Sequence, residues 1–140
     1  MAHWLLKSEP STWSWDDQVK AGAKGTAWDG VRNHLAKKHL MAMKRGERAF
    51  FYHSGENKQI IGVVEVIGEY RSDPSDKTAT FGMIDVKAAG ALPVPVTLAM
   101  CKAEKSLAKM ALLRNSRLSV QPVTDAEWAV VCNLGAMKPA

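Results

Sequence analysis

The chain has 140 residues, 46% hydrophobic and 24% charged, the length and composition of one globular domain with a substantial core. No stretch approaches the roughly 18 consecutive apolar residues that a helix needs to cross a bilayer. The formal net charge of +5 favours an anionic partner.

In chain order, "HWLLK" is a short apolar run that predicts a strand, stopped by Pro10. "STWSWDDQVKAG" predicts a short helix with Ser14 as N-cap, Asp16 and Asp17 at the positive end of its dipole, and Gly22 at its close. Those two acids thus have structural work and are not read as a catalytic pair. "AKGTAWDGVRNH" reads as a loop of about ten residues, punctuated by Gly25 and Gly30, leading into a helix. In that helix Ala36, Leu40 and Met43 share one face, and Lys37, Lys38, Lys44 and Arg45 the other. A basic back of this kind serves either solvation or phosphate contact.

The middle of the chain is β-rich. "RAFFYHS" and "QIIGVVEVIGEY" predict two strands joined by the hairpin-like turn "GENK". Strict alternation in the second puts Ile61, Val63 and Ile67 on one face and Ile60, Val64 and Val66 on the other. Both faces are therefore covered, as in a small barrel with helices packed outside. "TFGMIDVKA" predicts a further strand, and "LPVPVTL" a proline-marked edge or crossover. "SLAKMALLR" predicts a short helix, "SRLSVQPV" a strand, and "TDAEWAVVCNLG" a helix opened by the capping box Thr124–Glu127 and stopped by Gly135. With no linker, repeat or low-complexity segment, residues 1–140 are expected to form a single α+β domain around a compact curved sheet or barrel.

Few catalytic constellations survive inspection. His3, His34, His39 and His53 include no i, i+4 pair, and Cys101 and Cys132 match no metal-ligand spacing, so no metal site is expected. There is no P-loop and no GxGxxG after a strand, and no cofactor is expected. The two cysteines read as reduced thiols, and the start of the chain lacks the pattern of a secretory signal, which predicts a cytoplasmic or nuclear setting. "KSE" (Lys7, Ser8, Glu9) and "YHS" (Tyr52, His53, Ser54) both lie at strand ends, where a serine, a histidine and an acid could converge for hydrolysis. No nucleophile elbow accompanies them.

The other available chemistry is recognition. Four of the five tryptophans, Trp4, Trp13, Trp15 and Trp28, fall within the first 28 residues. Trp4, Trp13, Trp15 and Trp128 read as packing residues. Loop-borne Trp28, followed by Asp29, Arg32 and Asn33, has the groups a nucleobase requires: a flat ring for stacking and polar groups for its edge. The plainer alternatives are that Trp28 plugs a barrel mouth and Asn33 caps its helix. Two basic clusters, residues 32–48 and 102–117, suit a phosphate backbone. A protein-interaction module remains the third possibility.

"WLLKSEPSTWSWDD", "WDGVRNH", "AFFYHS", "IIGVVEV", "MIDV" and "SRLSVQPVT" resemble, in order and spacing, the EVE domain of the PUA-like superfamily, over about residues 3 to 135. The resemblance implies a PUA-like small mixed β-barrel flanked by helices and related to the YTH domains that read N6-methyladenosine in RNA. It also implies non-catalytic binding of nucleic acid, DNA ahead of the alternative of RNA, with a flipped modified base, notably a modified cytosine, held in an aromatic pocket. By the same resemblance Trp28 is one cage wall and Phe81 a second, where the family pattern often has tryptophan. Asn33 and Ser8 would meet the base edge, Tyr52 and His53 line the pocket or its rim, and Glu9 accept from an exocyclic amine. Arg32, Lys37, Lys38 and Arg117 are then expected to meet phosphate.

Overall fold

A computed structural model describes residues 1–138. Its elements follow the patterning closely at the ends of the chain. β1 (His3–Ser8) is the predicted apolar strand. Ser14 caps α1 (Trp15–Lys20) in a reciprocal capping box with Asp17, so both predicted terminus signals are used. The stretch read as a loop contains a single turn of 3₁₀ helix and then a short strand, β2 (Thr26–Trp28). Gly25 makes that entry possible. Its φ is +71°, and a Cβ there would lie 2.3 Å from the Val86 carbonyl oxygen. α2 (His34–Ala42) follows, capped by Asn33.

β3 (Arg48–His53), β4 (Gln59–Ser72) and β5 (Gly82–Thr97) form an antiparallel meander. α3 (Leu98–Ala103), a 3₁₀ turn and α4 (Ala111–Arg114) replace the one short helix expected there. β6 (Val120–Val123) and α5 (Asp125–Leu134), with its Thr124–Glu127 capping box, complete the chain. The strand order is β2-β5-β4-β3-β1-β6, with β1 and β3 parallel. Among the described residues β2 and β6 do not pair with each other. The architecture is therefore mixed α+β around a curved open sheet, and "barrel" holds only loosely.

Each face of the sheet has its own core. Trp4, Leu6, Phe51, Val64 and Ile84 pack under α1 and α2, with Trp15, Ala36 and Leu40 contributed by the helices. Leu5, Phe50, Ile60, Val63 and Val96 pack under α3, α4 and α5, with Leu107, Met110, Trp128 and Val131. The strict alternation expected along β4 is broken near the start of the strand, one of several register irregularities along it. Phe51 pairs with Gly62 and Tyr52 with Ile60, leaving Ile61 as an extra, bulged residue. Ile60 therefore shares a core with Val63, not with Val64 and Val66.

The proline-marked segment is likewise not a separate edge or crossover but the end of β5. Ala91 pairs with Gly62 and Val96 with Ile60, so Pro93 and Pro95 occupy a stretch that needs no ladder hydrogen bond. Gly62 matters for another reason. A Cβ on it would meet the Trp15 ring at 2.4 Å, so the indole of α1 lies directly on the strand backbone. Among the described residues no helix is long and apolar enough to cross a membrane.

Candidate nucleic-acid interface

A hollow of about 500 Å³ opens at the end of β1 and is bounded by Lys7, Ser8 and Glu9, by Thr12 and Trp13 ahead of α1, and by β2 with Asp29. That volume lies within the range of about 300–1,000 Å³ typical of small-molecule sites. Two tryptophans line it. Trp28 is only 8% exposed and meets Phe51 edge-on at 5.6 Å, so its ring is anchored in the core while bordering the hollow. Trp13, read from sequence as a packing residue, is half-buried and lines the same space.

Trp13 is fastened at both ends. The Ser8 hydroxyl donates to its carbonyl oxygen, and its indole N–H donates to Gln18 Oε1 at 2.9 Å. Gln18 is completely buried on α1, and its amide nitrogen donates in turn to the Val86 carbonyl at 3.4 Å. A fully buried amide that bonds both a ring and a strand fixes one relative to the other. The sequence carries no signal of this. Trp13 and Gln18 are five residues apart across the Ser14 cap, a spacing that helix periodicity alone does not bring together.

The other expected site residues divide. Ser8, Glu9 and Trp28 do border one hollow. Ser8, however, uses its hydroxyl on Trp13, and Asn33 accepts the Ala36 N–H at 2.9 Å as the α2 N-cap. Tyr52 does not line the hollow: it points into the opposite core, where burial pushes its phenol up to about 12. His53 sits on the hollow's side of the sheet, edge-on to Phe51 at 5.6 Å, and its Nε2 accepts the Trp15 N–H at 3.0 Å. Burial holds its pKa below the ordinary value despite Asp16 and Glu9 nearby, which keeps the ring neutral and able to accept. With Ser8 and His53 each bonded to α1-side backbone, no serine–histidine pair of the kind needed for hydrolysis forms between them.

Phe81 lies apart from the hollow, 5.1 Å from the His34 ring and 5.9 Å from the Arg32 guanidinium. It does not stand beside Trp28 as a second wall; the second indole at the hollow is Trp13. Arg32 is engaged too: it pairs with buried Asp73 at 3.2 Å and donates to Ser75 at 3.0 Å. Asp73 also accepts from the Gly30 N–H and from Ser75. Burial alone would raise the Asp73 pKa, but these donors outweigh it and hold the carboxyl well below the usual range. The loop after Trp28 is thereby tied to the β4–β5 connection. Lys37 is half-buried, and Lys38 and Arg117 are exposed. Among the described residues no group of His, Cys, Asp and Glu is placed to hold a metal ion.

The fold has clear counterparts. The EVE domain family model matches residues 2–134. The NMR structure of Rpa0253 from Rhodopseudomonas palustris is 58% identical, with a TM-score of 0.92 over 97% of this chain and 94% of that one. Thymocyte nuclear protein 1 of Homo sapiens is 33% identical over 99% of this chain and 76% of its own length. A crystal structure of human THYN1 protein in complex with 5-methylcytosine-containing DNA superposes with a TM-score of 0.89, at 33% identity, covering 99% and 100% of the two chains. The YTH domain of Zygosaccharomyces rouxii MRB1 protein, solved with N6-methyladenosine RNA, shares the fold alone, at 17% identity and a TM-score of 0.59 over 99% and 87%. On the family match and this extent of similarity, the chain belongs to the EVE domain family.

Proposed function

We propose that this protein binds DNA without catalysis and receives a flipped, modified cytosine in the hollow bordered by Trp13 and Trp28. The observation that carries the reading is the hollow's make-up: two indoles for stacking, with the carboxylates of Glu9 and Asp29 at the same opening. Stacking on an aromatic ring contributes about 1–3 kcal/mol per base. Carboxylates repel phosphate but accept from an exocyclic amine, which cytosine carries at N4. The human relative solved with 5-methylcytosine-containing DNA supports this choice of partner. Extrusion of the base costs a few kcal/mol, which the stacking offsets. A buried methyl adds about 0.8 kcal/mol, so methylated DNA is favoured only about fourfold unless a polar group is read as well.

The test is a binding titration of duplexes carrying cytosine or 5-methylcytosine against wild type, Trp28→Ala and Trp13→Ala. Each variant is expected to weaken binding by about 5- to 150-fold, the span of one lost stack. Trp13 is half-buried, so its replacement reports on binding even where loss of Trp28 disturbs the core. Wild-type affinity in Trp13→Ala and Trp28→Ala alike would remove the hollow from the account.

A further inference from the structure

Beyond the base-binding reading, on which this inference rests, the location of the cationic side chains indicates where the DNA strand lies. We propose that the phosphates flanking the extruded base run along Lys7, Lys58 and Lys102, across the end of the sheet, and not along the basic back of α2. Lys7 borders the first hollow. Lys58 and Lys102 border a second hollow of about 410 Å³ at the β3–β4 turn and the start of α3. The register brings the two openings to one end of the sheet: Ser8 pairs with His53, His53 with Gln59 and Gln59 with Thr97. Three strand spacings of about 4.8 Å span roughly 14 Å, about four steps of one DNA strand at 3.4 Å each. The turn is fixed to α3, because the Leu98 N–H donates to the Lys58 carbonyl at 3.0 Å.

Among the described residues none of the three lysines has an acidic partner within 4.0 Å. Burial, and then the neighbouring charge of Lys58, lower the pKa of Lys7, so the free protein bears a like-charge repulsion that an anion would relieve. Two acids, Glu9 and Glu56, share this end; Glu9 belongs to the base hollow and Glu56 to the lip of the second. The Lys7 ammonium also donates to the Ser116 carbonyl at 2.6 Å, which fixes its head group at this end of β1. On the α2 side the Arg32 guanidinium is neutralised by Asp73 and Lys37 is half-buried. Among the described residues Lys38, Lys44 and Arg45 are as free of ion pairs as the three lysines, but none of them borders the base hollow.

The experiment compares wild type, Lys58→Ala/Lys102→Ala and Lys37→Ala/Lys38→Ala, which remove equal charge. Affinity for a duplex with one 5-methylcytosine, and for its unmodified counterpart, is followed against salt concentration. Loss of two phosphate contacts reduces the slope of log K against log salt by about 1.8. That reduction is expected for Lys58→Ala/Lys102→Ala, equally on both duplexes because phosphate contacts carry no base information. The α2 pair is expected to keep the wild-type slope. An unchanged slope in Lys58→Ala/Lys102→Ala, or the drop appearing in the α2 pair, overturns the track while leaving the hollow intact. Absence of any DNA binding by wild type overturns both.

Discussion

Trp13 is set in place by its neighbours before any guest arrives. Ser8 and Gln18 hold its backbone and its ring, so a guest in the hollow meets an indole already in place. Immobilising such a side chain on binding costs about 0.5–1.5 kcal/mol. Gln18→Leu, which keeps volume and burial but releases the indole N–H, is therefore expected to weaken binding of methylated duplex by about 2- to 12-fold. Faster solvent exchange of the Trp13 indole proton in NMR spectra should accompany it. Unchanged exchange with weakened binding would mean that Gln18 acts by another route. The sequence directs attention to Trp28 through its loop and polar neighbours, and that residue does border the hollow. It could not reveal that Ser8 and His53 have internal partners, whereas the helix cap at Asn33 is one of its readings. The Ser8 and His53 bonds depend on which backbone groups folding leaves unsatisfied.

Elements with local signals were legible, and those set by pairing were not. The apolar run of β1 and the caps at Ser14, Asn33 and Thr124 are written in a few consecutive residues. The bulge at Ile61 and the continuation of β5 through Pro93 and Pro95 arise from register against a neighbouring strand, which no local window contains. The docking of the 29–33 loop is also non-local, because Asp73 comes from the far end of the β4 hairpin. Folding holds Asp73 below the unfolded carboxylate value of about 3.9. The unfolded chain therefore takes up the proton more readily than the folded one as acid is added. The Asp73 contribution is complete well above pH 4 and drains as the pH falls through and below that value. Asp73→Asn is expected to lower stability by about 1–3 kcal/mol at neutral pH, the penalty for donors left poorly paired. Denaturant titrations between about pH 5 and pH 3 should show a flatter slope in the variant than in wild type. Parallel curves would assign the acid sensitivity elsewhere, Asp76 being the next candidate: the Thr78 hydroxyl and the Thr78, Thr80 and Phe81 N–H groups hold its pKa at about 2.

At the scale of the whole molecule the two cores have separate tasks. The one beneath α3, α4 and α5 is closed by stacked Phe50 and Trp128, ring centroids 3.8 Å apart, and supplies a rigid back. The one beneath α1 and α2 runs out at the end of β1, where Trp13 and Trp28 border open space. Net charge and clustering predict an anionic partner from sequence, but not which cluster faces it, because an ion pair such as Arg32–Asp73 removes a cation from use. The most direct measurement follows the indole N–H signals of all five tryptophans by NMR as duplex containing 5-methylcytosine is added. Trp13 and Trp28 are expected to shift with saturable dependence on concentration, while Trp128, in the opposite core, stays in place. Equal small movement of every indole, or a shift confined to tryptophans away from the hollow, would contradict the account.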